Sequence, residues 1–375
     1  MSTESIKALL KLKNGHTFVG CGVGQVSCRY GECVFTTSMT GYTQSLTDPS
    51  YAGQILCFAS PLIGNIGVSY KWFESPAMFA DGVIMANLSD FSFHADKNCS
   101  LEDFLITNQR GGIAGIDTRQ LVQILRDEGN QFSVLVVDTE SKINELQELS
   151  FEELRAKVDN PEDIGFLDWP SRVNQTPIDY SLYEVNSNSK KVGKKVVLLD
   201  CGVKANIVRE LSKRVELIVL PANSTIEEIL KHEPDGVLLS NGPGDPRDYD
   251  YIIDTVKNLL STNLPIMGIC LGHQLLSLAI GCEVYKMKFG NRGANQPVQD
   301  ELTQKAYLTS QNHGYAVQAS SLPNDYSVFF QNLNDDSVEG IIHKTKPIFS
   351  VQFHPEAAAG PQDTNWLFDK FVDSL

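Results

Sequence analysis

With 375 residues, of which 42% are apolar and 21% charged, the chain has the composition of a soluble globular protein with room for two domains. A formal net charge of -15 argues against a general binder of nucleic acid or of anionic membrane, since both rely on clustered Lys and Arg. The one basic run, Lys190, Lys191, Lys194 and Lys195, reads as a solvated linker edge.

Between Ile6 and Ser60 the stretches Ala8 to Leu12, Thr17 to Val19, Glu32 to Thr37 and Ile55 to Ala59 are broken by Gly, Asn and Pro, the pattern of strands and turns. Thr36 to Tyr51 is dense in hydroxyls and turn formers, and composition alone makes it a polar loop. Gly82 to Ala86 reads as a further strand, and Leu101 to Asn108 and Thr118 to Glu128 as helices, the second stopped by Gly129. Residues 1–150 are therefore expected to form a strand-rich α+β domain. Scattered charges, prolines and the tract Asn186 to Lys191 mark 151–192 as a connecting segment, within which Phe151 to Val158 has helical character.

From Lys194 the pattern changes. Apolar runs at Val196 to Leu199, Leu217 to Leu220, Gly236 to Leu239 and Pro265 to Ile269 alternate with helical stretches at Lys204 to Lys213, Thr225 to Lys231 and Tyr249 to Ser261. Such alternation predicts an α/β domain over 193–375, a mostly parallel sheet with helices on both faces, where sites form beyond the carboxyl ends of the strands. After Gly281 come shorter strands, Ser327 to Gln331, Gly340 to His343 and Ile348 to Phe353, and a closing helix, Thr364 to Val372.

Cys270 stands where the run Pro265 to Ile269 gives way to a helix, with Gly268 and Gly272 two residues to either side. A sharp strand-to-helix turn crowds those two positions, so the pattern is that of a nucleophile elbow with cysteine at its tip. A helix start also favours the thiolate, the attacking form. The eight cysteines include no C-x-x-C pair, Met1 to Phe18 shows no signal-peptide pattern, and no apolar run is long enough to span a bilayer. A reduced, cytoplasmic protein is expected.

A catalytic cysteine needs a base, and the base an orienting group. His354, just after a strand and followed by Pro355 and Glu356, offers both; His273 on the helix start and His313 in a predicted loop, Gln311 to Tyr315, are the structural or substrate-lining alternatives. The loop Ser240-Asn-Gly-Pro-Gly-Asp-Pro246 follows a strand on the same predicted edge, and one of its amides, with that of Leu271, suits an oxyanion. No phosphate-loop pattern occurs.

Gly268-Ile-Cys-Leu-Gly-His-Gln274, the 240–246 loop and His354-Pro-Glu356, in this order, resemble the class I, triad-type glutamine amidotransferases. The resemblance implies Cys270 as nucleophile, His354 as base and acid, Glu356 as orienter, and Gly242 and Leu271 amides at the oxyanion. Gly244, Gln274, Asn312, Gly314 and Tyr315 would bind glutamine. Ser38 to Tyr42, Leu46 to Tyr51, Pro61 to Asn65, Gly115 to Arg119 and Gly202 to Ile207 resemble the small subunits of carbamoyl-phosphate synthetases, so that the likeness spans nearly the whole chain. This implies that Ser50 reaches the glutamine site, that the first domain meets a partner, and that ammonia passes by an internal channel to a large subunit holding ATP and Mg, with no cofactor or metal on this chain. Asn291 and Gln296 depart from the family pattern, which usually has histidine there.

Other readings remain at this stage. An amidotransferase serving another acceptor would not need the large first domain; a regulatory scaffold would not label at Cys270 with an electrophilic glutamine analogue; a cysteine peptidase would cleave peptides without hydrolysing glutamine.

Overall fold

The computed structural model describes residues 5–158 and 193–375, which form two compact units. Most of the proposed connecting segment lies outside the described residues.

In the first unit seven strands close into a barrel: β1 (Ile6–Leu12), β2 (Thr17–Gly24), β3 (Ser27–Thr36), β4 (Gln54–Phe58), β5 (Gly82–Ile84), β6 (Gly111–Ala114) and β7 (Gln131–Thr139), in the order β1-β2-β6-β5-β4-β3-β7. The closing pair is β1 with β7, antiparallel, with Leu9 opposite Val136. Because side chains alternate along each strand, Leu10, Cys33, Ile55, Ile84, Ile113 and Leu135 meet in one interior cluster, joined by Leu121, Ile124 and Leu125. Among the described residues five helices accompany it: α1 (Tyr42–Thr47), α2 (Leu101–Thr107), α3 (Thr118–Glu128), α4 (Glu140–Leu146) and α5 (Phe151–Arg155). The opposite side chains of the strands pack with α1 and α2 in one place and with α4 and α5 in another.

Closure into a barrel, strands β6 and β7, and α4 were not foreseen from the sequence. The hydroxyl-rich stretch 36–51 is not simply a loop either: it holds α1 and a short 3-10 turn, Pro49–Tyr51, and Thr43, Leu46, Thr47 and Ser50 are buried. Thr47 is satisfied locally, its hydroxyl donating to the Thr43 carbonyl at 2.9 Å and its carbonyl accepting from the Ser75 hydroxyl at 2.5 Å, whereas the buried Thr43 hydroxyl makes no hydrogen bond among the described residues. Phe151 and Leu154, assigned by composition to the connection, pack into the first unit.

The second unit is built on nine strands: β8 (Lys195–Asp200), β9 (Glu216–Pro221), β10 (Gly236–Leu239), β11 (Ile266–Ile269), β12 (Val284–Asp300), β13 (Ala306–Val317), β14 (Tyr326–Asn332), β15 (Val338–His343) and β16 (Ile348–Val351). Their order is β13-β12-β14-β15-β16-β11-β10-β8-β9. From β16 to β9 all pairings are parallel; from β16 to β13 all are antiparallel. The sheet is thus mixed rather than mostly parallel, because the long hairpin β12–β13 extends it through Gln311 to Tyr315, where the sequence predicts a loop.

Alternation again divides the core. Val197, Leu199, Val237 and Leu239 face a cluster with α7 (Ile226–Leu230), α8 (Asp250–Leu260) and α9 (Leu271–Ala279). Val196, Leu198, Leu238 and Met267 face another with α6 (Ala205–Ser212) and α10 (Trp366–Asp373). The register sets Leu199 beside Leu239, Leu239 beside Gly268, and Ile269 beside Val351, so four parallel strands end level and deliver their loops to one edge. No helix among the described residues is long and apolar enough to cross a membrane.

Candidate active site

Cys270 is the single residue between β11 and α9, with φ 54° and ψ -104°. A non-glycine residue in this region is strained and must be held by its surroundings. Here the Cys270 N–H donates to the Val351 carbonyl at 2.9 Å, and the Gly272 N–H to the Ser240 carbonyl at 3.0 Å. The flanking glycines make the turn possible. A Cβ on Gly268 would lie 2.7 Å from the Gly272 oxygen, and one on Gly272 would lie 2.2 Å from the Leu239 oxygen. The cysteine is buried, and its Sγ is 3.6 Å from the Asn312 carbonyl oxygen on β13.

His354 follows β16, the parallel neighbour of β11, and is pinned by its N–H to the Ser310 carbonyl at 2.9 Å. Its Nδ1 meets Glu356 Oε1 at 2.6 Å, while its buried Nε2 makes no hydrogen bond of ordinary geometry. Burial disfavours the imidazolium most strongly, but the Glu356 carboxylate and the Cys270 sulfur together outweigh it and the opposing Lys204, and hold the His354 pKa well above the ordinary range. Glu356 shows the complementary shift. Burial would raise its carboxyl, yet the Lys204 ammonium and the His354 ring together hold it well below the usual range.

Lys204 was not singled out from the sequence. Its Nζ lies 3.1 Å from Glu356 Oε1 and donates to the Ala357 carbonyl at 2.7 Å, and its residue is only 3% exposed. The Asn241 side chain fixes its loop, accepting from the Lys204 N–H at 3.0 Å and donating to the Gly202 carbonyl at 3.0 Å. A lysine in the turn after a parallel strand, among small and apolar neighbours, was the available signal.

Gly242 lies against both loops: a Cβ there would meet the Cys201 oxygen at 2.0 Å and Leu271 Cδ2 at 2.8 Å. Gly244 has φ 91°, in the region that favours glycine. The Gln274 amide donates to the Tyr315 carbonyl at 3.2 Å and to Gln352 Oε1 at 3.0 Å, which ties α9 to β13 and to the residue after β16. Asn312, Gly314 and Tyr315 belong to β13. Cys270, His354, Glu356 and all of these residues share the second unit. Ser50 belongs to the first, buried in its 3-10 turn with its N–H on Asp48 Oδ1 at 2.9 Å.

The other two candidate histidines are occupied elsewhere. His273 is fully buried with Nδ1 2.8 Å from Ser350 Oγ, and burial, with His313 nearby, pushes its pKa down to about 3. His313 is in strand β13, not in a loop; its Nδ1 is 2.9 Å from the Tyr315 carbonyl and its Nε2 3.2 Å from Gln311 Oε1. The two positions that depart from the family pattern both hold the turn after β14: Asn291 donates to Asp335 at 3.1 Å, and Asn334 donates to Gln296 Oε1 at 3.1 Å. No group of three or more His, Cys, Asp or Glu among the described residues is placed to hold a metal ion.

Chemically, the arrangement combines an inward-facing thiol, a basic imidazole oriented by a buried carboxylate, and close-packed glycine loops beside both. Residues 197–374 match the family described as glutamine amidotransferase class-I, and residues 10–135 match the family described as carbamoyl-phosphate synthase small chain, CPSase domain. Over 374 residues the chain is 47% identical to a carbamoyl phosphate synthase small chain of Methanocaldococcus jannaschii, covering 98% of each. It is 42% identical over 371 residues to the protein of the same name in Listeria monocytogenes serotype 4b, covering 98% of this chain and 97% of that one. It is also 40% identical over 390 residues to the carbamoyl phosphate synthase arginine-specific small chain of Chaetomium globosum, covering 100% of this chain and 79% of that one.

Proposed function

The chain belongs to the carbamoyl phosphate synthase small-chain family, and from that premise we propose that it is the glutaminase subunit of such an enzyme. It hydrolyses glutamine to glutamate and ammonia, and the ammonia goes to a large subunit that makes carbamoyl phosphate from bicarbonate and ATP. The observation that carries the site assignment is the placement of His354 and Glu356, 2.6 Å apart, just after the strand that pairs with the one leading into the Cys270 turn.

In this reading the turn is a nucleophile elbow. Cys270 Sγ attacks the side-chain amide carbon of glutamine with the thiol proton held on His354 Nε2, where the raised basicity of the ring keeps it. The Gly242 and Leu271 amides meet the oxygen that becomes negative. His354 then gives the proton to the amide nitrogen as the C–N bond breaks; ammonia leaves and a glutamyl thioester remains. Water, losing a proton to His354, attacks the thioester, and the sulfur departs to recover that proton, releasing glutamate. Glu356 keeps the imidazole oriented and stabilises its charged form, as the raised His354 pKa indicates.

Gly244, Gln274, Asn312, Gly314 and Tyr315 would hold glutamine. No cofactor is assigned to this chain; ATP and Mg belong to the large subunit. Free ammonia is largely protonated at neutral pH, so direct passage between subunits preserves its nucleophilicity. None of the eight cysteines is joined in a disulfide, which suits a reducing compartment such as the cytoplasm.

The test is Cys270→Ser in the complex with the large subunit. Glutamine-dependent synthesis should fall by about three orders of magnitude or more, while synthesis from added ammonia persists. Glutamine-dependent turnover that survives the change would remove Cys270 from the mechanism. Glutaminase activity without any response to bicarbonate would direct the ammonia to another acceptor.

A further inference from the structure

The loop after β10 and strand β13 flank Cys270 from two sides: Gly242 packs against Leu271, next to the cysteine, and the Asn312 carbonyl faces the sulfur. Each wall is anchored separately from below, Tyr249 donating to the Pro243 carbonyl at 2.9 Å and Gln274 to the Tyr315 carbonyl at 3.2 Å. A cluster of three side chains joins the walls near the surface. Arg247 grips Asp245 with two parallel bonds, Nε to Oδ1 at 2.8 Å and Nη2 to Oδ2 at 2.5 Å, and its guanidinium carbon stands 5.6 Å from the Tyr315 ring centre. Burial would raise the Asp245 carboxyl, but Arg247, with support from the Tyr315 hydroxyl, outweighs it and keeps the carboxylate charged.

Tyr315 comes directly after Gly314, and Asp245 directly after Gly244, so the ends of this bridge attach to two segments assigned above to glutamine binding. A forked guanidinium bound to a planar carboxylate and lying over an aromatic ring fixes three groups in one geometry, more firmly than an ordinary surface ion pair. The Arg247 side chain is half exposed, which places the bridge at the rim rather than in the core.

We propose that Asp245, Arg247 and Tyr315 form a clasp that sets the spacing between the glycine loop and β13, with Arg247 a positioning residue that pre-orders the pocket for glutamine. The inference rests on the reading of Cys270 as the glutaminase nucleophile. A pre-ordered pocket binds its substrate without the cost of ordering it, so losing the clasp weakens glutamine binding more than the chemical step.

Steady-state glutamine hydrolysis by the assembled complex tests this with Arg247→Ala, Arg247→Lys and Tyr315→Phe. Arg247→Ala is expected to raise KM for glutamine about tenfold and to leave kcat within about twofold. Arg247→Lys should recover part of the loss, since it keeps the cation but not the fork, and Tyr315→Phe should give a smaller rise in KM by removing one bond to Asp245. An unchanged KM in Arg247→Ala overturns the proposal. So does a parallel fall in kcat and Tm at constant KM, which would mark a purely structural contact. Should the unaltered complex fail to hydrolyse glutamine at all, the reading of the site falls first, and that outcome is distinct from the other two.

Discussion

Both units gather loops at the carboxyl ends of parallel strands, and the two sets of loops present opposite chemistry. In the barrel, β3, β4, β5 and β6 run parallel, and the loops that follow the first three carry Met39, Leu62, Phe91 and Phe93, exposed by 77%, 45%, 71% and 81%. In the second unit the equivalent edge carries Lys204, Cys270, His354 and Glu356, each 3% exposed or less. Parallel strands decide only where loops meet. Whether a reactive centre results depends on burying groups whose charges answer one another, as the carboxylate of Glu356 answers both Lys204 and His354.

The contrast can be broken most severely at the base. His354→Asn should lower kcat/KM for glutamine by about a thousandfold or more, because no proton acceptor remains for the thiol; stopped assays on the purified complex measure it. A loss below tenfold would mean that another group does this work, and that the second unit's buried charges are structural like any others.

Glu356→Gln sharpens the comparison through stability. It leaves the Lys204 ammonium buried without its counter-charge, expected to cost about 3 kcal/mol at neutral pH. The folded Glu356 pKa is depressed, so its stabilisation is present above the usual carboxylate range and disappears as pH falls through the folded value. Thermal melts from about pH 7 down to about pH 3 should therefore show the wild-type advantage shrinking with acid. A constant difference across that range would deny the ion pair its role. The smallest effect is expected in the barrel, where Phe93→Ser removes an exposed ring and should alter stability by no more than about 0.5 kcal/mol in urea melts of this chain. A large loss there would show that the exposed loops support the fold.

Much of the parallel half of the second unit was legible because its strands are short apolar runs and its helices carry ordinary stop and start signals. Thr225, for example, caps α7 and exchanges bonds with Glu228, as its spacing suggests. The hairpin β12–β13 was not legible. Its sequence is polar, rich in Gly and Asn, and its pairing slips between Lys286 and Asn291 and again between Gly293 and Gln296, so no regular alternation survives to be read. That is why His313 was expected in a loop. The helix α1 was missed for a related reason: hydroxyl-rich residues favour turns in isolation, and only partners such as the Thr43 carbonyl make their burial acceptable.

The sequence by itself determined the local features of the site. Glycines at 268 and 272 permit the turn at Cys270, and the two-residue spacing of His354 and Glu356 lets one side chain reach the other. Tertiary structure alone decided what those features meet. The pairing of β11 with β16 brings the His354 segment to Cys270 across more than eighty positions of chain, and the turn after β8 lends Lys204 to Glu356 from still farther away. In the barrel the first strand closes on the last, Ile6 opposite Thr139. Backbone sterics and side-chain periodicity act over a few residues and can be read along the chain. Such distant pairings are settled by how complete elements bury their apolar faces together, a property that no single stretch contains.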